Sequence, residues 1–333
     1  MLIAVRTAIV LLLVAGATAC VPRPRPVQLA VSASEHWCPM HPGIRGAAGD
    51  RCPICQMALV PVASGIGDTY ALDVELVPPA PTPGVVARAL FHVRDPRTGA
   101  AVTQFDVVHE KLFHLFVVSR DLQHFAHLHP SRGANGEFGV DLALPHAGHY
   151  QLMADLVPTG GAPQLLQRTI TTAGYEGPLS TTPALAADLS DKVVDNTRVQ
   201  LAMREAMAGG ERLMTFTLTD ALTGAPAANI EPYLGATGHL LRVNADLSAA
   251  AHSHPIAEEG PPSTVAFQVL FPRAGMHRVW VQFQRAGRVL TASFTIPVME
   301  RYRAGTYSSE SPQSPDVDRT STRVPRGRRT AER

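Results

Sequence analysis

The 333-residue chain carries 29 Lys and Arg against 28 Asp and Glu, a formal net charge of +1, with 17% charged and 45% hydrophobic residues. This balance excludes the basic footprint of a nucleic-acid binder and the core-poor composition of a disordered chain, and it supplies apolar material for two ordinary domains. The skewed count is fourteen histidines against six tyrosines, and imidazole is the commonest protein metal ligand.

The first twenty residues, MLIAVRTAIVLLLVAGATAC, place Arg6 ahead of an apolar run from Ala8 to about Ala15, then small residues before Cys20. This is the layout of a secretory signal, too short to span a bilayer. The cysteine directly after the small triplet resembles a bacterial lipoprotein signal, which implies lipidation of Cys20 and a cell-envelope location on the periplasmic side of a membrane. Ordinary signal cleavage with a stray thiol is the alternative. Residues 21–35 are proline-rich and then small and polar, an extended spacer.

Residues 36–62 form a cysteine module, WCPMHP followed by CPICQM. Setting Cys20 aside leaves Cys38, Cys52 and Cys55, an odd number that disulfides cannot fully pair. Cys-Pro-x-Cys is a knuckle that aims two thiolates at one point. Cys38 would be a third ligand, and His41, Met57, Met40 and His36 compete for a fourth position. Three thiolates with a thioether or imidazole suit Cu(I) or Zn(II), and the segment is too short to fold on a core of its own. A closed zinc ribbon and a redox pair are alternatives; the redox reading lacks the βαβ context such a motif needs. The pair CPMHP and CPICQM is similar to the small heavy-metal-binding domain of copper-exporting ATPases and of copper or silver efflux adaptors. Gln56 stands where that family usually has glycine.

From Tyr70 to Val298 the chain repeats itself. Val74 and Leu76 fall on Val199 and Leu201, Phe91 on Phe216, and DPRTGA from Asp95 on DALTGA from Asp220, all 125 positions apart. The same offset lays HLFVVSRDLQHFAHLHP from His114 on HLLRVNADLSAAAHSHP from His239 without a gap. PHAGHY from Pro145 then matches PRAGMH from Pro272 two residues further along. We therefore read two tandem domains, at 70–175 and 195–298, with a polar, disordered tail at 299–333. Short apolar stretches between Thr-Gly and Ala-Gly turns predict strands at 71–77, 86–93, 112–119, 137–144, 149–157 and 164–171 in the first copy. The second copy has counterparts at 198–203, 213–219, 239–244, 264–271, 277–284 and 288–296. The expected fold is mainly β, a small metal-stabilised ribbon followed by two immunoglobulin-like antiparallel β-sandwiches.

Each copy holds a histidine, six residues, Asp-Leu, four residues and His-x-His-Pro. These are His114, Asp121, His127 and His129 in the first, and His239, Asp246, His252 and His254 in the second. Alternate residues on a strand share a face, so each His-x-His presents two imidazoles side by side, and the leading histidine can join them across a hairpin. Three imidazoles with an aspartate nearby suit Cu(II) or Zn(II). The alternative is a histidine-capped turn with an Asx-type aspartate. His109, His124 and His149 occur in the first copy only and rank lower, and His277 reads as a core histidine. With its sandwich pattern, the motif resembles periplasmic YtkA-like and copper-carrier modules.

Together these features predict a membrane-tethered periplasmic protein that binds heavy metal, copper first, and sequesters or delivers it. Its partners would be metal ions, a membrane through the lipid anchor, and an envelope metal-efflux transporter, with no nucleic acid. An adaptor of an efflux complex and a superoxide-dismutase-like metalloenzyme are the alternatives. We expect no enzyme, because there is no paired glutamate and no Gly-x-Ser-x-Gly nucleophile motif.

Overall fold

The computed structural model describes residues 36–37, 45–47, 49–51, 59–61, 69–178, 182–256, 261 and 263–300, and every regular element among them is a β-strand. Three two-residue strands, His36–Trp37, Arg45–Gly46 and Val60–Pro61, pair antiparallel ahead of the repeats. The other parts of the cysteine module, with Cys38, Met40, His41, Cys52, Cys55 and Met57, lie outside the described residues, as does Cys20.

The first repeat contains β1 (Ala71–Val77), β2 (Val86–Arg94), β3 (His114–Ser119), β4 (Phe125–Leu128), β5 (Phe138–Ala143), β6 (His149–Pro158) and β7 (Gln164–Thr171). One sheet runs β1-β2-β5 and the other β7-β6-β3-β4. The second repeat follows the same plan with β8 (Thr197–Met203), β9 (Gly210–Asp220), β10 (His239–Asn244), β11 (Ala250–Ser253), β12 (Thr264–Phe271), β13 (Gly275–Arg285) and β14 (Arg288–Met299). Its sheets run β8-β9-β12 and β14-β13-β10-β11. The segment between β8 and β9, with its Met-Ala-Gly-Gly run, contributes only a short strand at Ala206–Met207 beside β14 and no helix.

Alternation explains most strands. In β2, Ala87, Ala89, Phe91 and Val93 are buried while Arg88 and Arg94 face water, the period-2 pattern of a sheet with one wet face. Each sandwich closes over its own core, around Phe91, Phe113, Phe138 and Leu152 in the first repeat and around Phe216, Phe267, Phe283 and Phe294 in the second. The equivalent strands β3 and β10 break the rule, since all six residues of each are buried. Leu115 and Val117 enter the first core, whereas Phe116 and Val118 face outward into a third cluster with Met153, Leu241, Val243, Leu247 and Trp280. That cluster joins the two repeats, sheet face to sheet face. Phe125 of the first repeat stacks on Trp280 of the second with ring centroids 5.1 Å apart. The two domains therefore share a desolvated boundary, and the histidine strands run along it.

Candidate metal centre between the repeats

His114 opens β3, and β4 returns beside it in a hairpin whose register pairs Phe116 with His127 and Leu115 with Leu128. This puts His114, His127 and His129 on one side of the sheet. In the second repeat Leu241 pairs with His252 and Leu240 with Ser253, and His239, His252 and His254 converge in the same way. In each trio, one nitrogen from every ring lies within 4.8 Å of the others.

Hydrogen bonds fix which nitrogens are available. His114 Nε2 is 2.9 Å from the carbonyl oxygen of Val108, and His239 Nε2 is 2.8 Å from that of Tyr233. Both carbonyls belong to two-residue turns with positive φ at the central positions, His109–Glu110 and Leu234–Gly235. Donation to these carbonyls leaves a lone pair on Nδ1 of each leading histidine. His127 Nδ1 lies 2.8 Å from Oε1 of Gln282, whose amide nitrogen donates to Thr291 Oγ1 at 3.0 Å. His252 Nδ1 lies 2.7 Å from Oδ2 of Asp155. With Gln282 Oε1 and an ionised Asp155 as acceptors, both rings carry the proton on Nδ1 and a lone pair on Nε2.

The consequence is an unfavourable meeting. His114 Nδ1 faces His127 Nε2 at 3.1 Å, and His239 Nδ1 faces His252 Nε2 at 3.2 Å, lone pair against lone pair. A proton occupies the first gap instead when the Gln282 amide is turned round, and the second when Asp155 is protonated. Two imidazole nitrogens on one tetrahedral ion with bonds near 2.05 Å lie about 3.3 Å apart, so the observed spacing is that of a chelating pair. The third member of each trio points the same way. The buried His129 Nε2 and both ring nitrogens of His254 have no hydrogen-bond partner, an expensive arrangement unless something accepts the lone pairs. The donor set thus fits a borderline divalent ion or Cu(I).

Electrostatics rules out the cationic alternative. Burial, reinforced by neighbouring histidines, pulls His127 down to about 2 and His129 to about 4. Burial likewise takes His239 to about 3 and drives His252 and His254 well below the usual imidazole range. The rings are neutral at pH 7, which is the form that binds metal. Burial pushes the Asp155 carboxyl up to about 7. A cleft of about 440 Å³ along the repeat boundary, lined by Asp155, Gln164, Arg242, His252, Ser253 and His254, offers an entry path.

The structure also sorts the lesser candidates. Asp121 and Asp246 do not join the trios: Asp121 Oδ1 accepts from Gln123 N at 3.0 Å and Asp246 Oδ1 from Ser248 N at 2.9 Å, the Asx-turn role. His149 bonds Thr171 and Gly177, and His277 is a fully buried core residue whose Nε2 bonds the Arg273 carbonyl. His109 has Leu234 as its counterpart in the second copy, yet its ring stacks on His254 with centroids 3.5 Å apart. Asp155 and Gln282 were missed altogether. They occupy equivalent positions, opposite His114 and His239 in their own sheets, and each holds a histidine of the other repeat.

Fold and centre together define a tandem β-sandwich protein with a histidine-rich metal-type centre at its domain boundary. The domain of unknown function DUF8832 matches twice, at residues 68–174 and 192–300, so that it spans more than half of the chain. The chain belongs to that family. The Heavy metal binding domain matches residues 37–62, which supports metal binding in general. No curated protein matches the chain significantly. Among solved structures the chain is similar to the FdeC adhesin of Escherichia coli (14% identity, 72% of this chain and 68% of that one, TM-score 0.23). It is also similar to the adhesin InvE of Yersinia pseudotuberculosis (13%, 70% and 61%, 0.21) and to a Salmonella alpha-2-macroglobulin (12%, 73% and 16%, 0.24). Scores this low carry no argument about function.

Proposed function

We propose that this is an envelope protein, anchored through a lipid on Cys20, that captures heavy-metal ions, copper foremost, and holds or passes them on without chemical turnover. Two classes of ligand divide the work. The cysteine module, with Cys38, Cys52 and Cys55 and a fourth ligand from His41, Met57 or Met40, takes a soft ion such as Cu(I). The histidine centre takes Cu(II) or Zn(II), the harder of the candidate ions. An envelope efflux transporter is the natural recipient.

The observation that carries this reading is the pair of imidazole trios, each with one nitrogen from every ring within 4.8 Å of the others and with His129 and His254 nitrogens buried and without a partner among the described residues. The likeness of the Asp-Leu and His-x-His-Pro pattern to YtkA-like and copper-carrier modules supports copper and the periplasm.

The test is titration of the full chain with Cu(I), Cu(II) and Zn(II), with bound metal quantified by elemental analysis. Three variants are compared: Cys38→Ser/Cys52→Ser/Cys55→Ser, His127→Ala/His129→Ala and His252→Ala/His254→Ala. The cysteine variant should lose the Cu(I) equivalent and keep the others, and each histidine variant should lose metal from the centre. Equal binding by parent and all variants would sink the proposal.

A further inference from the structure

The two trios converge on one place. Within the first, ring centroids are separated by 5.3 Å (His114–His127), 5.1 Å (His114–His129) and 4.6 Å (His127–His129). Within the second the separations are 5.4, 5.0 and 4.3 Å. Across the repeat boundary they are hardly larger: 5.5 Å for His114–His252, 5.7 Å for both His127–His239 and His127–His252, and 6.3 Å for His114–His239. His114 and His127 are thus nearly as close to His239 and His252 of the other trio as to the partners in their own.

We propose that the six histidines form a single dinuclear metal centre, one ion held by each trio, with the two ions close enough to interact directly. This rests on the reading above that the trios bind metal. Two ions are required because the nitrogens converge in two sets: His114 Nδ1 with His127 Nε2, and His239 Nδ1 with His252 Nε2. A single ion satisfied by four ligands would leave at least two buried imidazoles with unmatched lone pairs. Each ion, with three imidazoles, would keep a position open for a further ligand.

Charge adds a requirement. Six neutral rings offset none of the positive charge of two divalent ions, and Asp155 is the acidic group bonded to the cluster. Its carboxyl bonds His252 of the second trio, while Lys111 adds positive potential at His114 and His129. A small anion drawn from solvent would complete the charge balance.

The experiment uses the full chain carrying Cys38→Ser/Cys52→Ser/Cys55→Ser, so that only the histidine centre takes up Cu(II). Bound copper is measured by elemental analysis and electron spins by integrated EPR of the same sample. The expected result is two copper ions per chain, with an integrated signal well below two spins or a half-field transition. Adding His127→Ala/His129→Ala should leave one copper per chain and restore a full-intensity mononuclear signal. Two copper ions with two independent spins would overturn the dinuclear centre while leaving metal binding intact, and one copper per parent chain would overturn it as well. No bound copper would overturn both this inference and the reading beneath it.

Discussion

Asp155 is the sharpest place to test how the two repeats cooperate. It belongs to the first repeat, yet its carboxylate accepts the Nδ1 proton of His252 in the second at 2.7 Å, which points the Nε2 lone pair of His252 at His239. A hydrogen bond to a charged acceptor contributes about 1.5–3 kcal/mol against about 0.5–1.5 kcal/mol for a neutral one. Loss of a carboxylate that orients a metal-bound histidine typically costs about 10–100-fold in metal affinity, or about 1.4–2.8 kcal/mol. Asp155→Ala should therefore weaken the second trio by about that factor. Asp155→Gln supplies the side chain that the first trio already uses at Gln282, and it should recover part of the loss. The assay is competition for Cu(II) or Zn(II) with a chelator of known affinity, in the background lacking the three module cysteines. Because the first trio is oriented by Gln282, its affinity should change much less. Unchanged affinity at both trios in Asp155→Ala would refute the argument that the carboxylate selects the ligating tautomer.

Other consequences can be checked on the same protein. Arg242 is 3% exposed, with Nε and Nη1 unpartnered, and burial lowers it to about 10; Arg242→Met should raise stability to urea by about 1–3 kcal/mol. Trp280→Ala empties the centre of the boundary cluster and should cost about 3–5 kcal/mol, with weaker metal binding because the trios lose their relative placement. Metal-free protein should lose stability as pH falls from about 6.5 toward 4. His109, His127, His129 and His239 have folded-state values lowered to between about 2 and 4, so the unfolded chain binds more protons in that window. Each such histidine contributes about 1.4 kcal/mol per pH unit, and Asp155, raised to about 7, opposes with one equivalent. Denaturation midpoints at pH 7 and pH 5 measure the difference, and a flat profile would show that the rings are not held neutral.

Much of this was legible because the information is local. Strand alternation, Thr-Gly turns and the 125-residue offset depend on neighbours in the chain, and strands β1, β7, β10 and β12 fall at their expected bounds. The trios were legible for the same reason, since hairpin geometry joins His114 to His127 and His129. The boundary between the repeats was not, because it is made by residues far apart in sequence. Its trace was present in β3: HLFVVS holds four consecutive apolar residues where a strand such as β2 alternates, the mark of a strand covered on both faces. The repeat itself hid His109, which stacks on the other domain while its own counterpart is leucine. Asp155 and Gln282 were hidden similarly, because neither resembles a ligand in its local context.

The places where the two repeats differ are therefore the ones that define the centre. Were each trio self-sufficient, a single copy would already be a complete site. In fact each repeat leaves a key ring without its orienting partner: His127 needs Gln282 of the second repeat, and His252 needs Asp155 of the first. Separation would also expose Phe116, Val118 and Met153 on one side and Leu241, Val243 and Trp280 on the other, an apolar face too large to leave in water. Packing energy and ligand orientation thus come from the same surface. The smallest unit able to hold metal in this geometry is the docked pair, and an ion that binds only to the docked pair stabilises that state by its own binding free energy, about 2.7 kcal/mol at a hundredfold excess over Kd.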